Sequence, residues 1–254
     1  GFLNTSLAVA GNTSLAGNTS VVHDVTIDAA LDLGTFQLVA NGNFTAQNGG
    51  LLVMTQGGAT LNVTGNVLID GAPTSGFLTA GTLLVGGNFL QFANNASGSF
   101  APSGTHTTVL LGATPTVAFQ SPGPSGFRHL STANATTLTL ASAVPVSGDM
   151  IMSSVPGTIT GANVNLTVGN FSSGFPITFN NIPLVVTPSG ALTPLDDLTF
   201  ININPTGTAL TIQDDGAGGP VQFTNLTFSY TPTAGGFFLT ASDVDGAASG
   251  VLTI

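Results

Sequence analysis

The chain has no cysteine, no lysine, no glutamate and no tryptophan, and its only arginine is Arg128. Each absence excludes something. Without cysteine there is no disulfide, no thiolate nucleophile and no Cys-ligated metal. One cation stands against 11 aspartates, for a formal net charge of −10. This argues against a nucleic-acid partner, because phosphate contacts need Lys or Arg. Attraction to an anionic membrane surface fails for the same reason. No apolar run reaches the about 20 residues of a membrane-spanning helix, so no membrane insertion is expected. Glu and Lys are good helix formers, and their loss leaves little to build helices from. Charged residues make up 5% of the chain, against roughly 25% in ordinary globular proteins. Trypsin-like proteases find almost no cleavage site in such a chain, which suits an exposed extracellular material. The first residue is Gly, with no charged n-region leading into an apolar h-region. The expectation is a processed or partial chain whose export signal is gone.

What is present is a recurrence. Apolar residues make up 42% of the 254 positions, enough for a substantial core. Short apolar segments keep ending in Gly-Asn or Gly-Asp: Gly42-Asn43, Gly65-Asn66, Gly87-Asn88, Gly148-Asp149 and Gly169-Asn170. Three of the four gaps between these glycines are nearly equal, and the one from Gly87 to Gly148 is close to three of the others. Such a period marks a solenoid. A coil of three strands of about 4–6 residues, with turns between, uses roughly 20 residues. The pairs are therefore read as corners, one per coil. Gly is expected to supply positive φ, and Asn to tolerate the left-handed region and pass amide hydrogen bonds from coil to coil.

A second pattern, apolar–polar–polar–apolar, appears in FRHL (Phe127–Leu130), FNNI (Phe179–Ile182), LDDL (Leu195–Leu198) and FTNL (Phe223–Leu226). Its two polar residues are expected to point outward. Alternation with period two is plain in TLTL and VNLTV. The fold expected is all-β, a parallel β-solenoid (β-helix) with coils of about 20–23 residues. A terminal β-sandwich-like part is the variant. Residues 1–23, with AGNTS twice, are read as an irregular first coil, a cap or a docking arm. Residues 24–254 are read as the solenoid, with a subdivision near 175 as the alternative.

The segments GATLNVTGNV, AGTLLVGGNF and NVNLTVGNF resemble the repeats of β-helical surface proteins of bacteria, of the filamentous-haemagglutinin and autotransporter-passenger types. The resemblance covers residues 24–175. It implies coils rather than an activity, and an extracellular, adhesive or structural setting.

Chemistry is sparse. Asp196 and Asp197 are neighbours on a strand and point to opposite faces, and Asp214 and Asp215 sit in a turn composition. Both pairs read as solvated structural carboxylates. Asp243 and Asp245 precede Gly246 like half of a calcium loop, but the chain has no Glu to complete one. His106 and His129 lie one coil period apart, so adjacent coils bring them close, without a third metal ligand. No GxSxG nucleophile elbow occurs. Sequons occur about ten times, Asn165 among them, and are read as corner and strand composition. Thr-x-Thr groups occur at spacings that look too irregular for one flat ladder.

No catalytic residues and no cofactor are expected; the chain is read as a non-enzyme. The expected function is a secreted, cell-surface structural protein that stacks head to tail with other copies of itself through open β-edges. The alternatives are a passenger module of a larger adhesin, with cell-surface glycans as ligands, and a carbohydrate-binding or polysaccharide-degrading β-helix.

Overall fold

The computed structural model describes residues 2–3, 6–153, 157–187, 195–196, 198–201, 208–214, 223–224, 227–229 and 238–243. Among them every paired strand is parallel, no helix occurs, and the strands stack as a β-solenoid. The strands are short because each side of the coil ends at a corner. Strands such as Thr60–Val63, Val67–Ile69 and Thr137–Leu140 alternate inward and outward residues, as a period of two dictates.

Two faces run the length of the stack. The first has twelve strands, from Phe2–Leu3 through Gln37–Ala40, Thr60–Val63, Thr82–Val85, Thr107–Leu110 and His129–Thr132 to Phe238–Asp243. The second has eleven, from Leu7–Val9 through Phe44–Ala46, Val67–Ile69, Phe89–Gln91 and Thr137–Leu140 to Thr227–Ser229. A third face of three strands, Thr13–Ser14, Ala30–Asp32 and Leu51–Val53, closes the first coils. Irregular inserts occupy that side over residues 70–81, 92–106 and 120–126, and paired strand returns there with Val144–Val146 on Leu166–Val168. The register is direct: Thr60 pairs with Thr82, and Val67 with Phe89, so both faces advance by the same length of chain per coil. Higher up, Leu166 pairs with Leu184 and Leu184 with Leu210. Coil length therefore varies there, because the corners carry loops of different sizes while the strands keep their register.

The inward columns form one continuous core. Leu38, Leu61 and Leu83 stack on the first face, and Val25, Phe44, Val67 and Phe89 on the second, all at 0% exposure. The N-terminal strands stack on the coils above them: Leu7–Val9 pairs with Val25–Ile27, and Thr13–Ser14 with Ala30–Asp32. Both long faces also continue past residue 175 in parallel register, through Ile177–Asn180 to Leu198–Ile201 and through Leu166–Val168 to Leu184–Val186. The pairing crosses the position where the sequence suggested a subdivision.

Candidate functional site

The Gly-Asn corners resolve into two columns rather than one. Gly42, Gly65 and Gly87 lie one above another between the first and second faces, joined by Gly65 N–H to Gly42 O (2.9 Å) and Gly87 N–H to Gly65 O (2.8 Å). Gly148 and Gly169 stack at the other end of the first face, inside the long strands Val144–Met152 and Leu166–Ser173, where the register shifts between Val146 and Asp149. A Cβ on Gly169 would lie 2.9 Å from Gly148 O.

The expected reason for these glycines is corrected by the backbone. Among the described residues the positive-φ glycines are Gly34, Gly76, Gly81, Gly104 and Gly123, and the positive-φ asparagines are Asn48, Asn163 and Asn181. None belongs to a Gly-Asn corner. What the corner requires is the absence of a Cβ. On Gly42 that atom would lie 2.8 Å from the His23 carbonyl carbon, and on Gly87 2.9 Å from Gly65 O.

The asparagines carry a ladder. Asp24 Oδ1 accepts the Asn43 backbone N–H (2.7 Å), Asn43 Oδ1 accepts that of Asn66 (2.9 Å), and Asn66 Oδ1 that of Asn88 (2.8 Å). Asn88 Oδ1 then accepts the Thr116 N–H (2.8 Å). Each amide thus satisfies a backbone donor one coil higher, where the turning chain offers no axial carbonyl. At the second column Asp149 and Asn170 pair in register, and Phe171 N–H donates to Asn170 Oδ1 (3.1 Å).

Carboxylates are similarly occupied. Asp28 Oδ1 accepts from Asn48 Nδ2 (2.7 Å), Asp32 Oδ1 from Gly34 N–H (2.9 Å), and Asp70 Oδ1 from Asn94 N–H (2.9 Å). Asp243 ends a strand whose register places it beside Asp214. Asp245, Asp197 and Asp215 lie outside the described residues. Among the described residues no three His or Asp side chains gather at one point.

His106 and His129 sit on adjacent coils, with His129 N–H donating to His106 O (3.3 Å), yet their side chains part. His129 is on the outer side with Asp149 Oδ2 3.3 Å from its Nδ1. His106 is fully buried, with Nδ1 2.9 Å from Ala80 O. A carbonyl only accepts, so Nδ1 carries the hydrogen and Nε2 is a bare lone pair. That Nε2 has no partner, and neither has the buried Oγ1 of Thr108 on the same strand. Burial pushes the His106 pKa below its ordinary value; the bond to Ala80 O opposes this, and nearby His129 adds to it. Arg128, one coil above His106 in register, turns outward and donates from Nε to Gly104 O (3.0 Å) and from Nη1 to Ser147 O (3.0 Å).

The threonines are more regular than their spacing suggested. Outward on the second face, Thr137, Thr158, Thr178 and Thr199 stand in one column, with Thr227 next in register. Thr116, Thr139, Thr160 and Asn180 form the adjacent column. Unequal loops hide this order in the linear sequence. Comparison with protein-family models, curated proteins and solved structures finds no significant match to the chain.

Proposed function

We propose that the chain is a structural β-solenoid unit of an extracellular or cell-surface assembly, which lengthens by adding rungs at its open edge. One observation carries the reading. The cross-section repeats from coil to coil: Leu38, Leu61 and Leu83 stand in direct register on the first face, and Val25, Phe44, Val67 and Phe89 on the second. Unpaired strand edges are templates for further strands. A second stack of the same cross-section would therefore continue this register at an end coil. The sequence has no Lys to guard such an edge. The occupied carboxylates support a structural role over polysaccharide processing, because Asp24, Asp28, Asp32 and Asp70 are spent on wall hydrogen bonds at different coils.

Electron microscopy and light scattering across a concentration series test this. A twelve-strand stack at about 4.8 Å per strand is a rod of roughly 50 Å. The expected result is rods that lengthen by multiples of that unit, and shorten to single units in Ala8→Lys, which sets a cation on the first-rung strand Leu7–Val9. Single rods at every concentration overturn self-stacking. If they come from a longer native polypeptide whose extra coils cover the first rung, the passenger-module reading replaces it.

A further inference from the structure

We infer that His106 is an acid-operated latch on the insert that walls the middle coils, and that acid opens this wall onto a buried aromatic cluster. The insert is residues 92–106, between the strands Phe89–Gln91 and Thr107–Leu110. Its centre is Phe100, buried against Phe89 (ring centroids 4.7 Å apart) and Phe127 (5.8 Å). Phe119 completes the cluster, 5.1 Å from Phe127. His106 closes the insert's last turn: its ring stands edge-on to Phe100 at 6.1 Å, and its N–H donates to Ser103 O (3.2 Å). Nδ1–H anchors the ring to Ala80 O on the coil below.

The orphaned Nε2 makes this anchor conditional. Neutral, it leaves one lone pair unsatisfied. Protonated, it places a full charge and a new donor inside an apolar core, with no acceptor in reach. No carboxylate faces it. The coil below contributes Ala80, Gly81 and Thr82, and residues 71–80, 92–105 and 120–127 contain no titratable side chain. The coil above contributes Arg128 and His129, both cationic or neutral, and Asp149 is engaged with His129 on the outer side. The protonated ring gains water only by leaving the core, and it backs Phe100, so the insert lifts with it. The insert is tied down by Ala101 N–H to Thr74 Oγ1 (2.7 Å), Phe100 N–H to Ser125 Oγ (3.3 Å), Ser103 N–H to Leu78 O (2.8 Å), Thr105 N–H to Thr79 O (3.0 Å), Gly126 N–H to Phe100 O (3.0 Å), Thr74 N–H to Gly98 O (3.1 Å) and Ser125 Oγ–H to Ser97 O (2.6 Å), and at its start by Asn94 N–H to the Asp70 carboxylate (2.9 Å). The exposed rings then form an apolar patch that exists only in acid.

The direction follows from linkage. The folded group titrates below the unfolded one, so the open form binds more protons. Closure is complete above the ordinary histidine value of about 6.5 and is lost as pH falls beneath it. One proton increases opening by up to about tenfold per pH unit in that window. Hydrogen exchange read by mass spectrometry, corrected for the intrinsic pH dependence, measures it. Peptides from 92–106 and 120–127 should exchange faster as pH falls, with that slope, while Gln37–Ala40 and Thr60–Val63 stay protected. His106→Leu and His106→Asn should abolish the slope, and His129→Gln should keep it. A flat wild-type profile, an equal slope in the His106 variants, or acceleration spread evenly over all coils overturns the latch. If neither His106 variant folds, the wild-type ring's NMR titration decides: a depressed value supports the latch, and an ordinary one overturns it.

Discussion

Gly65→Ala tests the account of the corners most directly. The added Cβ would lie 2.7 Å from both Gly42 O and Asn43 Oδ1, and 3.0 Å from the Gly42 carbonyl carbon. None of these atoms is free to retreat. Gly42 O already accepts the Gly65 N–H at 2.9 Å, and Asn43 Oδ1 accepts the Asn66 N–H at 2.9 Å. The coil as a whole cannot rise, because Gln37–Ala40 and Thr60–Val63 are paired along their full length just before the corner, and Phe44–Ala46 and Val67–Ile69 just after it. Overpacking of this kind costs about 1–3 kcal/mol, and a weakened ladder bond adds about 1 kcal/mol. Reduced entropy of the unfolded chain returns about 0.4–1 kcal/mol. The net expectation is a loss of about 2 kcal/mol, read as a lower denaturation midpoint by circular dichroism. Gly57→Ala is the control, since its Cβ would meet nothing within 4 Å and its φ is ordinary. That variant should be neutral or slightly more stable. Equal midpoints for the two variants refute the argument that contact, not conformation, demands glycine at the corner.

Two further substitutions address the ladder and the core. Asn66→Ala removes the acceptor of the half-buried Asn88 N–H and should cost about 1–2 kcal/mol; hydrogen exchange should show the Asn88 amide losing protection while the Val63 and Val85 amides keep theirs. Phe89→Ala empties the centre of the ring cluster, where Phe100, Phe119 and Phe127 all lie within 5.5 Å of it. It should cost about 3–5 kcal/mol in the denaturation midpoint, and an unchanged midpoint would show that the cluster does not carry the middle coils.

Much of the architecture is legible in the chain because its signals are local. The run TLNVTGNVLI alternates, turns and alternates again, and the structure places Leu61, Val63, Val67 and Ile69 inward and the corner between them. Phe127–Leu130 and Phe179–Ile182 bury their apolar ends and show their middle pairs, as the pattern required. What could not be read is where each motif falls on the coil. Gly148-Asp149 and Gly169-Asn170 look like the earlier corners, yet they bend a strand of the first face, because the register with Leu130 and Phe171 fixes them there. His106 and His129 looked like neighbouring side chains for the same reason: only the register shows His106 over Gly81, facing inward, while His129 faces out. The threonine columns were hidden by loops of unequal length, which shift spacing without shifting register.

One column shows how the stack changes its solution along its length. Asp24, Asn43, Asn66, Asn88, Thr116, Thr139, Thr160 and Asn180 occupy the same place on successive coils. Up to Asn88 the chain turns there, and a side-chain oxygen must replace the missing axial carbonyl. Beyond Thr116 the strand runs through the position, and Thr139 N–H donates to the Pro115 carbonyl at 3.0 Å. The backbone now satisfies itself, so the amide is released and a β-branched residue suited to an extended strand takes its place. The position just before it is no longer glycine either: Pro115, Leu138, Ile159 and Phe179 hold it on successive coils. The Gly-Asn signal therefore fades at the point where the Thr-x-Thr columns begin, and a single structural requirement, one axial acceptor per coil, accounts for both motifs.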